Sequence, residues 1–175
     1  MNSAPGVMRF LFEDAGEVPN NRTLPLLVYK RAVALAGEDD PAAVIEKLLP
    51  KGGWRGAWRW GVYPFPHYHS TAHEVLGVYR GHATLRLGHS TGVEIVAEAG
   101  DVIVIPAGVG HQNLGASADF HVVGGYPEGQ SADLLRGHRG ERPDADRRIQ
   151  SVPLPAGDPV KGASGPLIEA WRLIR

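Results

Sequence analysis

The clearest helical pattern in the chain lies over residues 40–49. Asp40 stands at the N-cap position and Pro41 at the first helical position, where each residue type favours helix initiation. An apolar stripe follows at the spacing of one helix face, at Val44, Leu48 and Leu49. Pro50 then ends the pattern. The sequence therefore predicts one short helix that packs on the outside of a sheet.

From Trp54 onward the pattern changes to short stretches rich in apolar and aromatic residues with the period of strands. These stretches are WRGAWRWGVYPF, EVLGVYRGHATLRLG with a turn at Arg80-Gly81, VEIVAEAGDVIVIPAG with a turn around Gly100, and DFHVVGGYP. Trp58 and Trp60 share one strand face, and we interpret both as packing residues. Several short strands at close spacing are typical of an all-β sandwich or barrel.

The flanking segments are predicted to belong to one domain over residues 1–175. Residues 1–53 form an N-terminal extension, with a short strand in MRFLFED, the helix, and an apolar run at Leu24–Tyr29. This run is expected to cover a sheet edge in its own chain or in a partner's. Residues 54–127 form the core, and residues 128–175 wrap around it.

The wrapping segment contains two different patterns. RGHRGERPDADRR (136–148) mixes acidic and basic residues throughout, and we predict a solvated loop there. GPLIEAWRLIR ends the chain with a periodic apolar pattern. We expect this segment to dock three side chains on the domain: Leu167, Ile168 and Trp171.

The composition limits both the class of protein and its chemistry. The 23 glycines and 14 prolines favour many tight turns over long helices, and 175 residues fit one domain. The net charge of −1 gives no sign of a nucleic-acid or membrane partner. Neither a signal peptide nor a run of about 18 apolar residues is present, so we expect a cytoplasmic protein. Because there is no cysteine, any metal must be bound by histidine and carboxylate.

Candidate chemistry concentrates in HYHSTAHEV, residues 67–75. His67 and His69 are two residues apart, so in a strand both project from one face, with Cα atoms about 6–7 Å apart. Two imidazoles at that spacing can converge on one ion, and Glu74 can join them after a turn or bulge. Chance can also produce such a cluster, so on these residues alone metal binding and a structural or exposed cluster both remain open.

Two other interpretations of this stretch are rejected. His69 and His73 have the i, i+4 spacing of a zinc-protease helix, but the glutamate directly after the first histidine is missing. Ser70 and Thr71 lie near histidines, but no G-x-S-x-G turn accompanies them to hold a nucleophile. Neither a zinc protease nor a serine hydrolase is predicted.

A second candidate segment is GDVIVIPAGVGHQN, residues 100–113. An apolar strand leads into a PAG turn, and the glycines of this segment let the backbone turn tightly. His111 follows at once and is a credible further metal ligand. Gln112 and Asn113 come next, and they are candidates to orient that ligand or to bind a substrate.

Together these two segments resemble the two motifs of the cupin superfamily. Residues 61–81 fit G-x5-H-x-H-x4-E-x6-G at every position. Residues 100–111 fit G-x5-P-x-G-x2-H, whereas the asparagine that closes this second motif is displaced to position 113, and Gly115 stands in its place. A further resemblance covers the whole chain, which is similar to a group of small bacterial single-domain cupins. The segments that carry it include PNN, LPLLVYK and DPVKGASGPL.

This resemblance implies an all-β double-stranded β-helix, the cupin jelly-roll barrel, with one or two peripheral N-terminal helices and a metal in its mouth. Carried over residue by residue, the implied metal ligands are His67, His69, Glu74 and His111. His73 directly precedes Glu74 and should point to the opposite face, as a surface residue or as a neighbour of the ligands. His121 lies on a strand expected to line the barrel, and it is a weaker candidate for contact with the ligands or a substrate.

Three imidazoles and a carboxylate suit one divalent transition metal: Fe, Mn, Ni, Zn, Co or Cu. Four protein ligands on a six-coordinate ion leave two positions open for a substrate or for substrate and O₂. The sequence thus favours a metal-dependent enzyme of dioxygenase or isomerase type that acts on a small molecule. The alternative is a non-catalytic module that binds a small ligand. We also predict a homodimer, because cupins often pair through exposed strands.

Overall fold

The computed structural model describes residues 6–172, which form nine strands and three α-helices. The strands are β1 (Val7–Phe10), β2 (Leu26–Tyr29), β3 (Trp54–Trp60), β4 (Glu74–Arg80), β5 (His82–Leu87), β6 (Val93–Glu98), β7 (Val102–Ile105), β8 (His111–Ala116) and β9 (His121–Pro127). The helices are α1 (Pro41–Leu48), α2 (Asp144–Ser151) and α3 (Pro166–Arg172), with 3-10 turns at Leu49–Gly52 and His89–Thr91. None of the helices in this range is long and apolar enough to cross a membrane.

Two antiparallel sheets enclose the main core. The larger sheet has the strand order β1-β2-β7-β4-β9-β3, and the smaller has the order β6-β5-β8. Leu76 and Val122 from the larger sheet share one buried apolar cluster with Leu85 from the smaller. Within residues 6–172 no continuous ladder joins the sheets into a closed barrel. The predicted all-β double-stranded β-helix is therefore confirmed, in the form of an open jelly roll.

A second apolar layer covers the outer face of the larger sheet. Ile45 of α1 lies directly over Gly77 of β4, where a Cβ would stand 2.7 Å from the Ile45 Cγ2. The glycine therefore lets the helix approach the sheet closely. Leu167 and Trp171 of α3 are buried in the same layer, as predicted, whereas Ile168 is half-buried.

The helix predicted from residues 40–49 is confirmed. The Asp40 side chain accepts a hydrogen bond of 3.3 Å from the Ala43 N–H, as an N-cap does. Leu49 of the predicted stripe is buried as predicted, but the rest of the buried face differs from the stripe. Ala42 and Ile45 are fully buried, while Val44 and Leu48 are half-buried at the rim of the contact, because the helix rests on β4 through Ile45.

The apolar run at Leu24–Tyr29 pairs within its own chain. β2 lies between β1 and β7, and its four residues are buried. Of the two predicted alternatives, the run thus extends its own sheet, and β1 becomes the edge strand.

One strand was not predicted: β8 has the sequence HQNLGA, which is too polar to show a strand pattern, yet it pairs with β5.

The solvated loop predicted over 136–148 is confirmed only in part: residues 136–143 form a loop with several exposed positions, but the segment is also tied down by specific contacts. α2 begins within it, and the Arg142 guanidinium binds the carboxylate of Asp14. Glu141 accepts a hydrogen bond of 2.8 Å from the hydroxyl of the buried Tyr68. The mixed charges therefore pair with specific partners, and they fix α2 against the stretch that carries the candidate ligands.

Candidate metal centre

The four residues of the implied ligand set meet where the loop before β4 crosses the start of β8. His67 and His69 lie in this loop, Glu74 opens β4 in the larger sheet, and His111 opens β8 in the smaller sheet. Two backbone hydrogen bonds join the segments. The His67 N–H donates to the His111 carbonyl (3.2 Å), and the His111 N–H donates to the His67 carbonyl (2.9 Å). The sequence motifs are therefore brought together in space, although the first two histidines lie in an extended loop and not in a regular strand.

The three imidazoles lie close together, and the carboxylate lies close to two of them. The ring centroids of His67 and His111 are 4.0 Å apart, and one potential ligand nitrogen from each of the three histidines lies within 4.8 Å of the other two. The Glu74 Oε2 is 3.2 Å from the His69 Nε2 and 3.1 Å from the His111 Nε2. Each of the four residues is at most 8% exposed.

The main chain holds each ring by its other nitrogen. The Nδ1 atoms of His67 and His111 lie 3.0 Å from the carbonyls of Phe65 and Val109. The Nδ1 of His69 makes a short hydrogen bond to the Asp133 carbonyl. A carbonyl can only accept, so each Nδ1 carries a proton, and a ring in its neutral form then presents an unprotonated Nε2.

The arrangement of these imidazole nitrogens and the carboxylate oxygen suits the binding of a cation. With the ring protons on Nδ1, the two nearby Nε2 atoms turn lone pairs toward the Glu74 Oε2, which then has no hydrogen-bond donor. A buried carboxylate oxygen without a donor costs free energy, and lone pairs at this separation repel unless positive charge lies among them. Three nitrogens and one carboxylate oxygen are a donor set that divalent transition metals bind. The structure thus contains three buried histidines able to hold a metal ion, with the Glu74 carboxylate close to two of them.

The pKa shifts describe a site that favours positive charge. Burial, followed by the neighbouring His111, lowers the pKa of His67 to about 3, so this imidazole is neutral at pH 7. Burial raises the pKa of Glu74, but His69 and His111 outweigh it and hold that pKa below its usual range. Burial likewise lowers the pKa of His69, yet the Glu74 carboxylate more than offsets this and raises it. Glu74 is therefore held as a carboxylate, and it favours positive charge beside it, either a proton on His69 or a bound cation.

A cavity of about 200 Å³ opens beside these residues. Its polar lining is the four side chains of the centre, and its apolar lining includes Val62 and Leu76. Four aromatic side chains complete the walls: Trp58, Trp60, Tyr63 and Tyr126. A small molecule in this space would contact the ligand atoms directly.

The structure corrects the interpretation of the two tryptophans as packing residues. Trp58 is half-buried against the core, but it also lines the cavity, and its Nε1–H donates to the Tyr126 hydroxyl (3.1 Å). Trp60 lies at the cavity and is 54% exposed. Tyr126 itself was not predicted, although it alternates with Val122 and Gly124 along β9 and so shares their inward face. Burial, then the Glu74 charge, raises the pKa of Tyr126 and keeps its hydroxyl protonated.

Asp133 supports the centre from outside the cavity lining, and no sequence pattern predicts this role. Its carbonyl accepts from the His69 ring, while its carboxylate accepts from the Ser70 N–H (2.6 Å) and from the Ser70 hydroxyl. The Arg148 Nε of α2 donates to the same hydroxyl (2.7 Å). No local pattern marks Asp133, because its contact with His69 spans 64 residues of chain.

His73 points away from the cavity, as strand alternation predicted, but the alternative of a surface position is wrong. The residue is 1% exposed, and its ring centroid lies 4.7 Å from that of Trp171. The Ala107 N–H donates to its Nδ1 (2.9 Å), which ties it to the turn before His111. Burial lowers the pKa of His73 to about 4, so it remains a neutral core residue at pH 7.

The three remaining candidates lie outside the cavity lining. Gln112 donates to the Pro64 carbonyl (2.9 Å) and so braces the loop that carries His67. The Asn113 side chain accepts from the Gly115 N–H (2.9 Å) within its own strand. His121 is exposed, which contradicts its expected place on the barrel lining. The reason is alternation: Val122 faces the core, so the preceding residue faces out.

Comparison with known proteins gives one close relative and several distant structural matches. The chain is 40% identical over 162 residues to the uncharacterized protein YjlB of Bacillus subtilis (strain 168), covering 93% of this chain and 94% of YjlB. No family model matches the chain.

Two solved structures show the level of structural similarity. The dTDP-6-deoxy-D-glucose-3,5-epimerase RmlC of Legionella pneumophila is 17% identical, with coverage of 97% of this chain and 95% of RmlC and a TM-score of 0.42. An acireductone dioxygenase of Bacillus anthracis is 16% identical, with coverage of 75% and 79% and a TM-score of 0.38. At these TM-scores neither structure assigns a reaction to the chain.

Proposed function

The chain belongs to the cupin superfamily and to the same family as YjlB, and on this basis we propose that it is a metal-dependent enzyme acting on a small molecule. The proposal assigns one divalent transition metal to His67, His69, Glu74 and His111. The observation that carries it is the Glu74 Oε2, which is buried, lies 3.1 and 3.2 Å from two imidazole nitrogens, and has no hydrogen-bond donor.

Different residues of the chain have different roles in such a site. The carbonyls of Phe65, Val109 and Asp133 fix the three rings in advance, so that binding a metal requires little rearrangement. The aromatic walls hold a substrate close to the ligand atoms and keep bulk water away from them. A divalent transition metal bound there supplies Lewis-acid chemistry at a substrate oxygen and, if it is redox-active, chemistry with O₂.

The reaction belongs to the dioxygenase or the isomerase type, and the identity of the metal separates these two. Iron in the purified protein favours the dioxygenase type, since that reaction needs a redox-active ion. Zinc or nickel favours an isomerase, which uses the ion as a Lewis acid.

Metal content tests the ligand assignment. We expect about one transition-metal ion per chain, by elemental analysis, in protein purified without a metal-affinity column. His67→Ala removes a buried ligand and should lose most of this metal. His121→Ala removes an exposed histidine outside the cavity and should keep it. Full occupancy in His67→Ala would refute the assignment.

A substrate screen distinguishes an enzyme from a binding module. Turnover of a small molecule that stops when the metal is removed and returns when it is restored supports the proposal. A compound that binds to the metal-loaded protein without being converted supports the non-catalytic alternative instead.

A further inference from the structure

The inner wall of the cavity depends on a glycine that leaves room for a tryptophan ring. Trp58 of β3 lies across Gly124 of β9, where a Cβ would stand 2.0 Å from the indole Cζ2. Any larger residue at this position would displace the indole. The Trp58 Nε1–H then donates to the Tyr126 hydroxyl, which holds the indole and the phenol together. The β3–β9 pair thus presents two linked aromatic side chains to the cavity.

Trp60 and Tyr63 form the outer wall, and beyond the cavity lining they continue into a row of aromatic rings that ends at a cation. Trp60 meets Tyr63 edge-on with centroids 5.0 Å apart, and Tyr63 stacks on Phe65 at 4.7 Å. The Arg136 guanidinium caps this row, 3.8 Å from the Phe65 centroid. Trp60 is nevertheless 54% exposed, so much of its indole is free to pack on a ligand.

The Tyr126 hydroxyl has a proton to donate. Its oxygen accepts from Trp58, and no acceptor for its own proton is found among residues 6–172. The residue lines the cavity, and its ring centroid lies 6.5 Å from that of His69. An oxygen atom of a ligand near the centre can therefore accept this hydrogen bond.

The charge of the lining limits the charge of the ligand. No lysine or arginine lines the cavity in the part of the chain that the structure describes, and Glu74 is the single acidic residue in its lining. A divalent ion together with this carboxylate and neutral imidazoles leaves a net charge of +1. One negative charge on a ligand balances it, whereas a second would lie unpaired among aromatic walls, at a high cost in desolvation.

The volume of the cavity limits the size of the ligand. About 200 Å³ is smaller than the roughly 300–1,000 Å³ typical of sites for drug-sized ligands. We infer that the cavity takes a single-ring aromatic compound with one negative charge, a carboxylate or phenolate, that accepts a hydrogen bond from Tyr126. This inference rests on the proposed function, since the charge balance includes the metal ion.

Calorimetric titration of the zinc-loaded protein with three matched carboxylic acids tests the inferred ligand class. Benzoate should bind about tenfold more tightly than cyclohexanecarboxylate, because the two share a carboxylate and differ in the ring that meets the aromatic walls. Isophthalate should bind at least about tenfold more weakly than benzoate, because its second carboxylate finds no cation.

Variants separate the contributions of the walls. Trp60→Leu should bring the affinities for benzoate and cyclohexanecarboxylate close together, because it removes an aromatic surface at a site exposed enough to tolerate the change. Tyr126→Phe should weaken both ligands to a similar extent, since both lose the same hydrogen bond. Tyr79→Leu, a half-exposed tyrosine outside the cavity, should change neither affinity.

The outcomes distinguish this inference from the proposed function. Equal affinity for benzoate and cyclohexanecarboxylate, or tighter binding of isophthalate, in protein with one zinc per chain overturns the ligand class and leaves the metal centre intact. A zinc content far below one per chain in the same sample overturns the proposed function, and the ligand class with it.

Discussion

Each of the three histidines at the centre uses its two ring nitrogens for different tasks. Nδ1 donates to a main-chain carbonyl, and Nε2 is left for the centre, where those of His69 and His111 lie 3.2 and 3.1 Å from the Glu74 Oε2. His73 is equally buried, but its Nδ1 accepts from the Ala107 N–H, so its proton is on Nε2. The main chain around each histidine therefore decides which imidazoles offer a lone pair to a metal.

Substitution of Asp133 tests whether this residue holds His69 in position. In Asp133→Asn the side chain loses one of the two acceptors for Ser70, so the carbonyl that orients His69 is held less firmly. We expect zinc affinity to fall about 10- to 100-fold, the usual effect of losing a residue that positions a ligand. Competition with a coloured zinc chelator measures this.

Asp119→Asn is the matched control. Asp119 is an exposed carboxylate whose side chain accepts from the Ser117 hydroxyl, remote from the cavity residues. Its substitution should leave zinc affinity unchanged. If Asp133→Asn binds zinc as tightly as this control, Asp133 has no positioning role.

At the scale of elements, the cavity depends on how closely two strands pack. β3 and β9 are antiparallel, and the register places Trp58 opposite Gly124. The indole fills the volume that a side chain would occupy, and from there it reaches both the core and the cavity. The same glycine thus serves packing and the shape of the site.

Gly124→Ala tests this dependence. The added methyl group meets the Trp58 indole, so we expect a loss of about 1–3 kcal/mol in the free energy of unfolding, as overpacked sites show. Gly115→Ala is the control, because a Cβ on that strand glycine meets no atom within 4 Å. Urea denaturation compares the two variants. Equal stability would contradict the packing described for Trp58.

The sequence predicts elements and sites well where the pattern is local. His67, His69 and Glu74 fall within eight residues, so a cluster of the three was a candidate from spacing alone, whereas His111 joined the set through the resemblance to the two cupin motifs. Asp133 could not be predicted, because its contact with His69 depends on how two distant segments cross. The outward position of His121 follows from strand register, which its own short pattern did not determine. β8 escaped prediction because pairing with β5, and not an apolar pattern, makes it a strand.

At the scale of the whole molecule, the centre connects the two sheets. Glu74 belongs to the larger sheet and His111 to the smaller, while no continuous ladder closes the sheets within residues 6–172. A metal held by residues from both sheets would therefore act as a cross-link in an open jelly roll, and binding it should stabilise the fold.

Thermal denaturation with zinc and with a chelator tests this cross-link. Free zinc at 100 times its dissociation constant should stabilise the folded chain by about 2.7 kcal/mol and raise its melting temperature. Glu74→Gln removes the charged ligand and should lose most of this increase. A melting temperature that is the same in zinc and in chelator would show that the metal does not link the sheets.

Assembly is a separate prediction at this scale. β3 and β6 each pair on one side in the described range, so both leave a strand edge open to another chain. We predict a homodimer, with a mass by light scattering of twice the 18.8 kDa of the chain. A mass of one chain at micromolar concentration would contradict it.

The most direct test of the metal centre is anomalous diffraction from zinc-loaded crystals at the zinc absorption edge. We expect one strong peak at about 2.0–2.2 Å from the Nε2 atoms of His67, His69 and His111 and from a carboxylate oxygen of Glu74. A crystal without a peak at this position, or with its peak at an exposed histidine such as His121, would contradict the assignment.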